Sequence, residues 1–215
     1  MLSPKFLSPF IAACSALPCA AFSISFLPHC PSQEGSRTWA FEVGVASISS
    51  NNIGNFTRAS MNLGHGPSSG ELYIFTASRR LGELKWNIGG HTFTPQLEFP
   101  LTLEIVDENA RSPFPDMNAS LAMRWIDFPW NQHLKTSFAM GLGFSYSQKI
   151  YLMDIERHPG ERRSKLKFNW PMQLTFALPK YEEHQLMIFI AHQSGGKIFD
   201  EGGVNSLGIG YRFDF

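Results

Sequence analysis

Beyond its N-terminal segment this chain has no apolar run approaching the ~18 residues of a transmembrane helix, which excludes a helical membrane span there. Charge is scarce as well. Charged residues make up 17% of the chain, against roughly 25% in soluble domains, and the formal net charge is zero. That balance excludes the basic footprint of a nucleic-acid binder. Cysteine is limited to Cys14, Cys19 and Cys30. Removal of an N-terminal leader would leave Cys30 alone, so no disulfide framework is expected. Histidines 65, 91, 133, 158 and 184 are scattered among turn-like stretches without metal-ligand spacing, and no metal or organic cofactor is implied.

What is plentiful is aromatic side chains, 13% of the chain, arranged with a period of two. The opening "MLSPKFLSPFIAACSALPCAAFS" has Lys5, a short apolar run and small residues at Ala20 and Ala21, the pattern of a secretory signal. It predicts a signal peptide over 1–21, a linker over 22–38 and one domain over 39–215. "IAAC" also matches a lipoprotein box, though the apolar run before it is very short.

Alternation then recurs along the chain. Trp39, Phe41, Val43 and Val45 share a face, as do Leu97, Phe99, Leu101, Leu103 and Ile105. Leu121, Met123 and Trp125 follow, then Phe138 to Tyr146, Leu166 to Leu178, and Leu207 to Phe215. Opposite positions are small or polar: Gly141, Gly143, Ser145, Lys167, Asn169, Gln173 and Thr175. A soluble sandwich also alternates, but small and polar partners of this kind fit the lumen of a narrow barrel whose other face meets lipid. The expected fold is all-β, an antiparallel up-and-down transmembrane β-barrel, located in the bacterial outer membrane. Six strands are read from residue 97 onward; "ELYIFTAS", "GELKWNIGG" and the Trp39 strand add three, and "RASMNLG" offers another. An even count requires eight or ten, and chain length favours eight. Pro100 and Pro171 fall inside strands and are expected at bulges, since a closed barrel has no free edge for a missing N–H.

With the C-terminus in the periplasm, 149–165 and 195–203 become outer loops. Arg157, Arg162, Arg163 and Lys165 then lie where lipopolysaccharide phosphates would be, although a solvated loop needs no ligand. Asp107, Glu108, Asp154 and Glu156 also fall in loops and form no paired-carboxylate pattern. On the penultimate strand His192 and Ser194 continue the face of Ile188 and Ile190, and on the last strand Asn205 shares the face of Leu207. Polar groups turned toward hydrocarbon are costly, which makes them functional candidates. A Ser–His pair is what nucleophilic ester cleavage requires, with a third group to fix the imidazole tautomer.

"HQSGG", "EGGVNSLGIGYRF" and "MRWIDFPWNQHLKTSFAMGLGFSYS" resemble the lipid A 3-O-deacylases of the PagL type, acyloxyacyl-hydrolase-like outer-membrane barrels, from about residue 97 to the end. The resemblance implies an active site on the outer wall, reached by lipid A of lipopolysaccharide in the outer leaflet. By it Ser194 would be the nucleophile and His192 the general base. The family's third member is a glutamate whose place falls here at Asn205; Glu201 or Asp200 from the loop are alternatives. The asparagine that follows the family's serine is Gly195 here, and backbone N–H groups of Gly195 and Gly196 are candidates for the oxyanion site. The rival expectations are a non-enzymatic small barrel with a structural or adhesive role, and a soluble ligand-binding β-sandwich.

Overall fold

Side chains that alternate between apolar and small or polar leave a strand with one oily face, and closing the sheet on itself turns that face outward. The computed structural model describes residues 23–28, 37–50, 62–88 and 91–215. The expected signal peptide and the three cysteines lie outside the described residues. The strands are β1 (Ser23–Pro28), β2 (Trp39–Ser49), β3 (Gly70–Ile88), β4 (His91–Phe93), β5 (Gln96–Glu108), β6 (Phe114–Trp125), β7 (Lys135–Ser147), β8 (Leu166–Ala177), β9 (His184–Ser194) and β10 (Gly203–Asp214), with one helix, α1 (Leu152–Arg157), between β7 and β8.

Eight of these strands close into an antiparallel barrel in the order β3-β2-β10-β9-β8-β7-β6-β5, with β5 returning to β3. The eight-or-ten ambiguity resolves because "ELYIFTAS" and "GELKWNIGG" are one continuous strand of 19 residues. Its first part is barrel wall, and its last part pairs with the short strands β1 and β4 beyond the rim. From "RASMNLG" only Asn62 to Gly64 are described, and Leu63 forms a single bridge to Ser49. The final residue is tied in: Phe215 N–H donates to the Trp39 carbonyl at 2.8 Å, and Thr38 and Trp39 N–H both donate to the Phe215 carbonyl at 3.0 Å.

The two prolines differ from expectation. Pairing of β5 with β6 passes from Glu98↔Ala122 to Leu101↔Ala119, and pairing of β7 with β8 from Met140↔Met172 to Gly143↔Asn169. Register is the same on both sides of each gap, so Pro100 and Pro171 interrupt a ladder without an inserted residue. A proline removes one donor but need not add a residue. The register shift that does occur lies between Arg80 and Gly82.

The outer surface carries exposed Phe41, Leu101, Leu121, Leu142, Phe144 and Ile209, which is a lipid-facing wall. Inside, the half of the lumen nearer the start of β2 and the end of β10 holds a buried charge network. Arg212 donates to Glu42 at 2.7 Å and to Glu98 at 2.9 Å, while Arg124 reaches Glu98 at 3.0 Å and Gln173 at 2.9 Å. Two acids thus meet two bases from four strands, so the charges are paired where water is scarce. Toward the opposite end Ile48, Leu72, Val106 and Phe114 form an apolar layer, with Asp116 and Glu104 also buried there, covered by Tyr151 and Met153. A stretch expected as an outer loop therefore contains a helix that plugs the barrel mouth. Tyr151 donates to Asp116 at 2.7 Å. Burial, with Asp116 and Glu104 nearby, holds the Tyr151 hydroxyl well above its ordinary pKa, so it stays a donor.

Candidate functional site

The plugged end is where β9 finishes and β10 begins. Along β9, Gln185, Met187, Phe189, Ala191 and Gln193 are buried in the lumen, while Leu186 and Ile188 are exposed. His192 and Ser194 keep the outward parity and are half-buried. Strand pairing sets His192 directly opposite Asn205, Asn205 opposite Ser49, and His192 opposite Trp170 on its other side. Ser49, Asn205, His192 and Trp170 thus form one row across four neighbouring strands.

Within that row His192 Nδ1 and Asn205 Oδ1 lie 2.6 Å apart. An amide oxygen only accepts, so Nδ1 carries the proton and Nε2 is left as the basic nitrogen. The Trp170 ring stands edge-on to the imidazole, centroids 6.3 Å apart, and limits its rotation. Asn205 is only 3% exposed although it faces outward. The guanidinium of Arg157, the last residue of α1, lies within electrostatic reach of His192. Ser194 is opposite Phe168 and Gly203. Among the described residues no hydrogen bond joins its hydroxyl to His192; catalytic hydrogen bonds of this kind often close only on substrate.

Behind the pair a buried ion cluster holds the two long connections together. Lys167 from β8 reaches both Asp154 of α1, at 2.9 Å, and Asp200 of the 195–202 connection. Asp154 accepts the Gly203 N–H at 2.9 Å, and Asp200 accepts those of Ser164 at 2.7 Å and Gly202 at 3.0 Å. Asp154 and Asp200 are fully buried. This clamp was not legible in the sequence, where Asp154 read as solvated loop charge and Lys167 as one more lumen residue.

Asp200 is committed to Lys167 and to backbone N–H groups, and Glu201 is exposed; among the described residues neither hydrogen-bonds His192, whereas Asn205 does. Gly195 is not a free oxyanion donor, because its N–H donates to the Gly202 carbonyl at 3.0 Å and closes the hairpin. Gly196 adopts φ 60°, and a Cβ there would sit 2.9 Å from the Phe168 ring. Of the basic quartet, Arg157 acts electrostatically on His192, Arg162 donates to the Ile198 carbonyl at 3.1 Å, Arg163 lies 4.0 Å from Asp154, and Lys165 is exposed. Beside Ser194 an aromatic wall is formed by Phe168 and Phe199, centroids 4.9 Å apart, with Phe144 next to them. Among the described residues no cluster of His, Cys, Asp and Glu would hold a metal ion.

No protein-family model matches the chain, and no curated protein matches it in sequence. Solved structures do. The crystal structure of the outer membrane enzyme PagL is similar with a TM-score of 0.50 at 12% identity, over 81% of this chain and 99% of that one. Neisserial surface protein A, NspA, gives 0.45 at 10% identity, over 84% and 98%. The Yersinia pestis outer membrane protein Ail gives 0.39 at 12% identity, over 83% and 100%. The fold is that of a small bacterial outer-membrane barrel. Likeness at these identities concerns the fold, and what the barrel does must be argued from its own side chains.

Proposed function

We propose that this barrel is an outer-membrane esterase that removes an ester-linked acyl chain from lipid A. The observation that carries the reading is the 2.6 Å contact of His192 Nδ1 with Asn205 on the lipid-facing wall, beside Ser194. With the C-terminus periplasmic, the row containing His192 lies in the outer leaflet. Nε2 then takes the Ser194 proton as Oγ attacks the ester carbonyl, and the tetrahedral oxyanion is met by the Gly196 N–H. Imidazolium returns the proton to the departing sugar alkoxide, leaving an acyl-serine that water hydrolyses by the same proton route. Phe168 and Phe199 offer apolar surface to the acyl chain. Arg157 offers charge to a phosphate of the lipid headgroup.

A purely structural or adhesive barrel is the second reading. It is favoured by the committed Gly195 N–H and by an amide where a carboxylate would better support the imidazolium. Expressing the full chain in an outer membrane whose lipid A is fully acylated, and weighing that lipid A by mass spectrometry, separates the two. The esterase reading expects one acyl chain lost with the wild type and none lost with Ser194→Ala or His192→Ala. An unchanged acyl pattern with correctly folded wild type overturns it.

A further inference from the structure

At the end where β2 begins and β10 finishes, β3 does not stop with its neighbours. From Gly82 it runs past the rim and pairs with β1 (Phe26↔Leu84, Ile24↔Trp86) and with β4 (Trp86↔Phe93). Within the barrel the even-numbered residues of β3, such as Leu72, Ile74, Thr76 and Ser78, are buried toward the lumen. The register shift between Arg80 and Gly82 inverts that alternation, because one extra residue turns every following side chain to the other face. Gly82 is opposite Leu97, whose parity is that of the exposed wall residues Phe99 and Leu101, so Leu84 and Trp86 continue the lipid-facing side.

Ile24, Phe26 and Phe93, set opposite them, complete one apolar face and are 55%, 47% and 45% exposed. A Cβ on Gly82 would lie 2.7 Å from the Phe26 ring, so the ring covers the glycine on this same side. The reverse face is polar and internally bonded apart from Leu27, which is 53% exposed there. Asn87 donates to Ser23 at 3.0 Å, Thr92 to Asn87 at 2.7 Å, and Arg80 to Glu83 at 2.8 Å.

The geometry points to a membrane-surface contact: the apolar face of this three-stranded flap rests on the phospholipids of the leaflet at the end where β10 finishes. Continuity decides the occupant. The face is a direct extension of the wall that already meets lipid, and its bulge keeps it level with that wall. Its Trp and Phe content also suits the interfacial zone just beyond the hydrocarbon. Such a flap fixes how deep and how tilted the barrel sits, independently of any activity at the other end.

The full chain in phospholipid nanodiscs, with labelled Ile and Leu methyls, tests it by NMR. Leu27 lies opposite Glu83 on the polar side and serves as the internal control. Doxyl-labelled lipid should broaden the Ile24 and Leu84 methyls several-fold more than Leu27, and a water-soluble gadolinium chelate should do the reverse. Equal broadening of all three by the chelate overturns the contact. Protection of Ile24 and Leu84 from both probes, growing with the number of chains per disc, overturns it in favour of a second copy.

Discussion

His192 and Asn205 face each other across β9 and β10 with Nδ1 and Oδ1 2.6 Å apart. The amide fixes the tautomer but adds no negative charge. Asn205→Leu should lower turnover roughly 10²-fold to 10⁴-fold by freeing the ring, with the barrel still folded. Asn205→Asp should raise it about tenfold, the equivalent of ~1.4 kcal/mol, because a carboxylate stabilises the imidazolium that forms. Release of acyl chain from a synthetic ester in detergent measures both, and a more active leucine variant would sink the assignment.

The two hairpin glycines should respond unequally. A Cβ at Gly195 would lie 1.9 Å from the Asp200 carboxylate and break the clamp, whereas at Gly196 it meets only the edge of Phe168 at 2.9 Å plus a φ of 60°. Gly196→Ala should cost ~1–3 kcal/mol of local strain, and Gly195→Ala more. Urea midpoints of the refolded barrel in detergent give the order.

Removing the cation of the loop clamp should be severe. Lys167→Met removes the ammonium that bridges buried Asp154 and Asp200, leaving Asp154 to Arg163 and His158 and Asp200 to backbone N–H groups, a loss of ~3–5 kcal/mol. Limited proteolysis should then cut within 149–165 and 195–202 while the wall stays intact. Uncut loops in the variant would contradict the role given to the cluster.

The lumen network at the other end makes a parallel prediction with a different signature. Arg212→Met leaves two buried carboxylates, Glu42 and Glu98, facing Arg124 with one cation fewer and should destabilise by ~3–5 kcal/mol, but adding Glu98→Gln should recover part of the loss, since the remaining charges are then balanced. Unfolding in urea with vesicle-inserted protein reads both values.

On the outer wall, Leu142 is 65% exposed to what must be lipid. Leu142→Arg should cost ~2–4 kcal/mol if it lies near the bilayer midplane. Refolding yield into lipid vesicles should fall accordingly, and an unaffected yield would argue against that face being lipid-facing.

Strands from residue 97 onward were legible because each carries its own face pattern: Leu97 to Ile105 and Leu166 to Phe176 need no distant partner to declare which side is oily. The threading of 39 to 96 was less so. "ELYIFTAS" and "GELKWNIGG" read as two strands because the bulge between Arg80 and Gly82 resets the parity in mid-strand. The helix Leu152–Arg157 escaped notice since six residues carry too little periodicity to stand out.

Period-two alternation is a local property, so the chain's order alone specified a barrel, its lipid-facing residues, and the outward stance of His192 and Ser194. Which side chains meet across strands depends on register and closure, set by contacts between residues far apart in the chain. Only folding could therefore pair His192 with Asn205, draw Lys167 between Asp154 and Asp200, and turn the Gly195 N–H to Gly202 and away from any substrate.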